Sequence, residues 1–221
     1  MGLHTARRFL DAGENVVVTQ FRTRREPSFI KSEFGKQAIV AALDTTSPFE
    51  CFDRVRTHRI RSIVHLADPG LGAISAAEEF RINMLGLVNI LEAGRINRVS
   101  RISVASSIAV DAGLSAGPYR EDQPLRVASS SPTEAFNKAS ETLALHYSQP
   151  TKTEVTALRI SAIWGPLYHS MFNLPSRGGD LHALTTRRHP AKLSIVVRSF
   201  VSFTSTQRRI TVILQFKRRE K

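Results

Sequence analysis

Asn83-Met84-Leu85-Gly86-Leu87-Val88-Asn89-Ile90-Leu91-Glu92-Ala93 is the stretch that decides the fold of this 221-residue chain. It lies within residues 78–95, where apolar residues recur with the period of a helix and form one broad face. β-Branched runs flank this helix at residues 60–67 and 99–106. Such runs are typical of strands that are buried on both faces of a sheet. The alternation of strand and helix therefore predicts βαβ units and a parallel sheet.

The same alternation extends in both directions from this helix, with two limits. The chain opens with a helix, whereas a parallel sheet of this type normally opens with a strand. Beyond about residue 174 the pattern decays, and residues 193–216 predict one or two strands without a periodic face that matches the sheet. The remaining predicted elements are helices at residues 3–12, 47–57 and 132–147 and strands at residues 15–21, 38–44 and 155–160.

Six short motifs follow one another along the first 170 residues. They are Ile63-Val64-His65-Leu66-Ala67, the stretch at 83–93, Val104-Ala105-Ser106-Ser107-Ile108-Ala109-Val110, Glu121-Asp122-Gln123-Pro124, Lys138 with Glu141, and Leu158-Arg159-Ile160 with Trp164-Gly165-Pro166. In this order they resemble the extended short-chain dehydrogenase/reductase family of NAD-dependent epimerases and dehydratases. The resemblance implies an α/β fold with a Rossmann-like doubly wound parallel sheet, missing its first strand and most of the substrate-binding half. It divides the chain into a truncated NAD(P)-binding domain at residues 1–170 and a basic tail of unassigned structure at residues 171–221.

The resemblance also implies a nicotinamide dinucleotide cofactor, NAD or NADP, at the carboxyl ends of the strands, where open parallel sheets bind ligands. In the family, a G-x-x-G-x-x-G turn after the first strand holds the pyrophosphate with its backbone N–H groups. Only Gly2 matches this turn, as its last glycine, and the loss of the rest predicts weakened or lost cofactor binding. The other cofactor-binding positions that the resemblance carries over are Arg22, Asp44, Leu66, Ala67, Asn83 and Lys138.

Several of these positions have a second interpretation. Asp44 stands at a strand end, where it fits either an acceptor for the adenine amine or a turn and cap residue. Arg22 opens a basic loop after Gln20, which favours the 2′-phosphate of NADP, and a solvated basic loop fits the same residues equally well. Asn83 is predicted to be a buried polar anchor, and His65 a structural histidine rather than a participant.

The family's catalytic pair is Tyr-x-x-x-Lys, in which the tyrosine transfers a proton while the nicotinamide exchanges hydride. Lys138 occupies the lysine position, Glu134 the tyrosine position, and Ser107 the position of the substrate-polarising serine. Glu134 fits a catalytic base, but a helix N-terminal acid that complements the helix dipole is the favoured interpretation.

These residues predict an NAD(P)-dependent epimerase/dehydratase family protein, related to enzymes that act on nucleotide sugars or similar carbonyl or alcohol substrates, with weak or no activity. The alternative is a non-catalytic dinucleotide-binding or interaction module, so the assignment as an enzyme stays open. The resemblance allows a homodimer, and no metal-binding motif is present.

Charge and composition constrain the partners and the compartment. The net charge is +12, and residues 170–221 hold 11 of the 31 basic residues but 2 of the 19 acidic ones. The excess charge is therefore assigned to the tail, for which solvation is favoured over nucleic-acid contact. No apolar run reaches the roughly 18 residues of a membrane span, and no signal peptide is evident. The single cysteine, Cys51, excludes an internal disulfide and predicts a cytoplasmic protein.

Overall fold

The computed structural model describes residues 1–21, 26–68, 74–114 and 120–160 in full, and the backbone of residues 209–213. These ranges hold four helices, six strands and two short 3-10 segments, Ser28–Glu33 and Ile108–Asp111. The helices are α1 (Gly2–Asp11), α2 (Pro48–Thr57), α3 (Ala76–Ile96) and α4 (Pro132–Ser148). The strands are β1 (Asn15–Gln20), β2 (Ala38–Ala42), β3 (Ser62–His65), β4 (Arg101–Ser107), β5 (Glu154–Ile160) and β6 (Arg209–Ile213).

The six strands form one sheet in the order β2-β1-β6-β3-β4-β5, and every neighbouring pair is parallel. From the centre the chain winds outward in both directions, from β1 to β2 on one side and from β3 through β4 to β5 on the other. The strand order therefore reverses between β1 and β3, and such a reversal is the point at which doubly wound sheets bind ligands. The predicted doubly wound parallel sheet is confirmed.

The central position of the sheet belongs to β6, which comes from the far end of the sequence. The chain described here begins directly with α1 at Gly2, and Arg209–Ile213 fills the place between β1 and β3. It supplies one of the strands predicted within residues 193–216, at a place that the hydrophobic pattern did not indicate. A central parallel strand is covered on both faces, so its sequence shows no alternation from which a matching face can be recognised.

The sheet carries a hydrophobic core on each face, because successive side chains of a strand point in opposite directions. Val17 enters the larger core, whereas Val16 and Val18 enter the smaller one beneath α1. Ile63 and Val64 of β3 divide in the same way. In the larger core α3 contributes Leu87, Ile90, Leu91 and Ala93. None of the described helices is long and apolar enough to cross a membrane.

Three helices begin with the same local sequence, Ser-x-x-Glu. In each, the serine is the N-cap and its Oγ accepts a hydrogen bond from the N–H of the glutamate three residues later, an arrangement that stabilises a helix by about 1 kcal/mol. Because each helix follows a parallel strand, the three N-termini lie at the carboxyl edge of the sheet. The N···O pairs are Ser47 with Glu50 (3.2 Å), Ser75 with Glu78 (3.3 Å) and Ser131 with Glu134 (3.2 Å).

Candidate functional site

Two buried polar side chains mark the switch point at the carboxyl edge of the sheet. Thr19 of β1 and His65 of β3 both lie in register with Ile213 of β6. Neither Thr19 Oγ1 nor His65 Nδ1 has a hydrogen-bond partner among the described residues. Burial lowers the pKa of His65 to about 4, so the ring is neutral at pH 7. Leu66 and Ala67 follow, half-buried against the two cores.

Gly2 and Asp44 lie on the β1 and β2 side of this edge. Gly2 is buried and is the first residue of α1, whose N-terminus has no side-chain cap. Asp44 Oδ1 accepts hydrogen bonds from the Thr46 N–H at 3.0 Å and from Thr46 Oγ1 at 2.6 Å. Its own N–H donates to Glu50 Oε2 at 2.9 Å. Asp44 therefore forms a turn that leads into α2, as one of its two interpretations expects, and its contact with adenine stays a prediction.

Two asparagines of α3 bind the loops that follow β2 and β3. Asn83 is 5% exposed, and its Nδ2 donates to Asp68 Oδ2 at 3.4 Å. Asn89 is also buried, and its Nδ2 donates to the Thr45 carbonyl at 2.9 Å. Asn83 is thus the buried polar anchor that we predicted, and any contact between it and a cofactor stays a prediction. The anchors fix two loops of the carboxyl edge against one helix.

Glu134 and Lys138 form a buried ion pair on the first turns of α4. The Lys138 Nζ donates to Glu134 Oε1 at 2.6 Å and to the Ala128 carbonyl at 2.9 Å. Glu134 Oε2 accepts from the Ser130 N–H and Oγ at 2.8 and 2.7 Å. The hydrogen bonds from Lys138 and Ser130 lower the pKa of Glu134 to about 2. Both residues are buried, with side chains 11% (Lys138) and 3% (Glu134) exposed, so the glutamate completes the helix cap while it neutralises the lysine.

Ser107 ends β4 beside a second buried ionic cluster. Its Oγ accepts a hydrogen bond at 3.1 Å from the N–H two residues later, at the start of the 3-10 segment. The preceding Ser106 donates to Glu141 Oε1 at 2.6 Å. Arg159 of β5 donates to Glu141 Oε2 at 2.9 Å and to Asp111 Oδ1 at 3.2 Å. The cluster thereby ties together β4, α4, β5 and the 3-10 segment, the elements that carry Ser107 and Lys138.

One member of this cluster was missed from the sequence. Ser106, Glu141 and Arg159 belong to the motifs of the resemblance, but Asp111 was not given a role. Burial raises the pKa of Asp111 and the guanidinium of Arg159 opposes that effect. Hydrogen bonding to Glu141 raises the pKa of Arg159. The one signal in the sequence for the role of Asp111 is its place as an isolated aspartate next to an apolar strand end. Such a carboxylate needs a cation when it is buried.

Several predicted residues lie outside the described part of the chain. These are Arg22 with the rest of its basic loop, Trp164-Gly165-Pro166, and the tail at residues 171–208 and 214–221. Within the described ranges, no three His, Cys, Asp or Glu side chains are grouped so that they could hold a metal ion. The structure thus brings Glu134 and Lys138 into contact on α4 and places Ser107 at the end of β4. Gly2 and Asp44 lie at the same carboxyl edge of the sheet, on the side of β1 and β2.

Several solved structures of nucleotide-sugar enzymes are similar in fold to this chain. The UDP-glucose 4-epimerase of Thermus thermophilus in complex with NAD is 23% identical, with a TM-score of 0.61, over 72% of this chain and 50% of that one. MoeE5 in complex with UDP-glucose and NAD is 28% identical, with a TM-score of 0.56, over 71% and 49%. The dTDP-glucose 4,6-dehydratase of Bacillus anthracis in complex with NAD is 18% identical, with a TM-score of 0.62, over 74% and 52%. The chain spans about half the length of these proteins.

No curated protein sequence matches this chain. The model of one protein family does match it, that of the NAD dependent epimerase/dehydratase family, and the match covers residues 1–197. This range includes all of the described structure except β6. The chain belongs to the NAD dependent epimerase/dehydratase family.

Proposed function

We propose that this chain binds a nicotinamide dinucleotide at the carboxyl edge of its sheet and turns it over weakly or not at all. The observation that carries the proposal is the buried ion pair between Glu134 and Lys138, at 2.6 Å, in the positions of the family's catalytic tyrosine and lysine. The binding unit is residues 1–170. The chemistry of the family is hydride exchange with the nicotinamide, and it needs a proton donor and acceptor next to the substrate.

The ion pair is poorly suited to that proton transfer. A general acid or base works best with a pKa near the working pH, whereas the pKa of Glu134 is lowered to about 2 by Lys138 and Ser130. The carboxylate therefore stays ionised at pH 7 and has little tendency to take up a proton. Lys138 has three N–H donors, of which one is directed at Glu134 and one at a backbone carbonyl. One N–H donor is left for a ribose hydroxyl, on a lysine whose charge Glu134 already neutralises.

Part of the edge fits a dinucleotide and part does not. Thr19 and His65 bring polar atoms without a partner among the described residues to the switch point, where a bound ligand would satisfy them. The N-terminus of α1 at Gly2 has no side-chain cap, so its N–H groups suit a phosphate. The residues after β6 in the sequence, Leu214-Gln215-Phe216, include no glycine, so that segment does not supply the family's glycine-rich turn. We therefore propose weak binding of NAD or NADP, with NADP favoured by Arg22.

The nucleotide sugars of the similar enzymes suggest the second ligand. MoeE5 was solved with UDP-glucose and NAD, and we propose a nucleotide sugar or a related carbonyl or alcohol compound for this chain. A non-catalytic dinucleotide-binding or interaction module is the second candidate, favoured by the same sequestered Lys138. Cys51, a buried free thiol, fits a reducing cytoplasmic setting. A homodimer is compatible with either function.

Fluorescence titration with NADH and NADPH, combined with absorbance at 340 nm in the presence of UDP-glucose, tests the proposal. We expect weak but saturable binding without turnover. Glu134→Tyr restores the family's pair, and Leu145→Tyr serves as the matched control on an exposed position of α4. Turnover that appears in Glu134→Tyr but not in Leu145→Tyr would support the role given to Glu134. Rapid turnover by the unaltered chain, or no binding of either cofactor at millimolar concentration, would contradict the proposal.

A further inference from the structure

A cavity of about 300 Å³ lies at the amino edge of the sheet, opposite the proposed dinucleotide site. It opens where α2 and α3 end and where β3 begins. Four of its seven lining residues are arginines, and all four are exposed. The lining residues are Val55, Arg56, Arg59, Ile60, Arg61, Asn97 and Arg98.

The positive charge of this cavity is largely uncompensated. Within the described ranges, no hydrogen bond or ion pair joins the guanidinium of Arg59, Arg61 or Arg98 to another residue. Arg56 has one acidic partner, Asp53, at 3.3 Å, and Arg54 shares that carboxylate at 2.8 Å. Like charges held around one cavity repel each other and create a local potential that attracts an anion.

Backbone geometry sets two of these arginines apart. Arg59 and Arg98 have φ values of 49° and 53°, and they are the non-glycine residues with positive φ among those described. Both follow the C-cap of a helix, where glycine is common because a β-carbon is unfavourable in the left-handed region. The same sequence position after α2 and after α3 therefore carries an arginine in a conformation that glycine would adopt more easily.

The two helix ends are built alike around these residues. The N–H of Arg59 donates to the Arg56 carbonyl and the N–H of Ile60 to the Val55 carbonyl, both at 3.0 Å. After α3, the corresponding bonds from residues 98 and 99 to residues 95 and 94 are 3.2 and 2.8 Å. These are the two hydrogen bonds of a Schellman motif. Both arginines are thus held in place by backbone bonds at the rim of one cavity.

Helix stability alone does not account for this cluster. Cations near a helix C-terminus do stabilise it through the helix dipole. The last turns of α2 and α3 already contain Arg54, Arg56 and Arg95. Arg59 and Arg98 lie beyond those turns, at positions where their backbone conformation favours glycine.

We propose that this cavity binds the phosphates of a small polyanion, a diphosphate or triphosphate group. Guanidinium groups bind phosphate oxygens in pairs of parallel hydrogen bonds, and three of the four have no described partner. The volume is at the lower end of the range for small-molecule sites. No aromatic side chain lines the cavity, so it lacks the stacking platforms of single-stranded nucleic-acid sites. Free pyrophosphate and the phosphate chain of a nucleotide share this chemistry.

Calorimetric titration of the full chain with inorganic pyrophosphate and with ADP, in 150 mM salt, tests the site. The decisive variant is the double substitution Arg59→Gly/Arg98→Gly, which removes two guanidiniums while it relieves the backbone of both helix ends. We expect its melting temperature to equal or exceed that of the unaltered chain and its pyrophosphate Kd to rise at least tenfold. Arg8→Gln/Lys31→Gln is the matched control, because it removes the same charge from exposed residues outside the cavity.

The outcomes separate the two sources of phosphate and the competing explanations. Equal Kd values for pyrophosphate and ADP, both weakened in the glycine variant, assign the site to a phosphate chain alone. Tighter ADP binding that is weakened in the same variant assigns it to a nucleotide. An unchanged pyrophosphate Kd in the glycine variant, equal weakening in the control, or retention of RNA without any pyrophosphate binding would overturn the proposal.

Discussion

Replacement of Arg159 by methionine tests whether the buried ionic cluster holds the site together. Among the described residues, Arg159 is the one cation in contact with both Glu141 and Asp111, whose side chains are 8% and 5% exposed. Removal of one partner from a buried ion pair costs about 3–5 kcal/mol, because it leaves an uncompensated charge in the interior. Methionine keeps the apolar stem, so that most of the loss is electrostatic. For a domain of this size we expect a melting temperature lower by roughly 10 °C.

The pH dependence of the Arg159→Met variant gives a sharper readout than its stability at one pH. Burial already raises the pKa of Asp111 while Arg159 opposes the shift, so loss of the arginine raises that pKa further. A carboxyl group whose folded-state pKa exceeds its unfolded value favours folding when it is protonated, and this contribution is lost as the pH rises through the folded pKa. The deficit relative to the unaltered chain is therefore expected to be largest at pH 7 and to shrink toward pH 4.

Urea unfolding followed by circular dichroism at pH 7, 5.5 and 4.5 measures both effects. Arg81→Met is the matched control, since its partner Glu78 is on the same exposed helix surface and such pairs contribute well under 1 kcal/mol. A double variant, Arg159→Met/Glu141→Gln, should recover part of the loss because it removes one of the stranded charges. The reasoning is refuted if Arg159→Met unfolds within 1 kcal/mol of the control at pH 7, or if its deficit does not change with pH.

Three further predictions concern the sheet and its faces. The pKa of His65 is lowered to about 4, so the unaltered chain loses up to about 3 kcal/mol of stability as the pH falls from 6.5 to 4. His65→Gln should remove this loss. An equal pH dependence of the free energy of unfolding in urea for the two proteins would contradict this. Gly94→Ala would place a β-carbon 2.5 Å from Ile102 Cδ1. The double variant Gly94→Ala/Ile102→Val should therefore melt at a higher temperature than Gly94→Ala alone. Strictly additive effects of the two substitutions on the melting temperature would exclude the clash. Deletion of residues 209–221 should abolish cooperative urea unfolding, because β6 lies between β1 and β3 and pairs with both, and an unchanged midpoint would show that β6 is dispensable.

The hydrophobic pattern was sufficient for most of the fold. The helix around Asn83 and its flanking strands have both a clear period and flanking turn residues, so local sequence and tertiary packing agree. β6 could not be placed, because its register with β3 and β1, about 150 and 195 residues earlier in the chain, depends on partners that no local pattern names. The same limit applies to Asp111 and Arg159, which become partners only when β5 pairs with β4.

Charge was harder to interpret than hydrophobicity. From sequence the excess of basic residues was assigned to the tail, since residues 170–221 hold most of it. The described fold nevertheless brings Arg59 and Arg98 to one cavity from segments almost 40 residues apart. Net charge per segment cannot reveal such a cluster, because each helix end contributes too few residues to stand out. The Ser-x-x-Glu sequence at Ser131, by contrast, did contain the structural explanation of Glu134.

A central strand and a glycine-rich turn differ in how strictly they constrain the sequence. A strand is held by backbone hydrogen bonds, which any sequence without proline can make, so Arg209–Ile213 can complete the sheet between β1 and β3. A glycine-rich turn has no such freedom, because its conformation and its close approach to phosphate both exclude a β-carbon. Since Leu214 follows β6 directly, this strand completes the sheet without leading into a glycine. We therefore expect the sheet to tolerate most substitutions within β6. We expect cofactor binding to depend far more strongly on which residues follow β6.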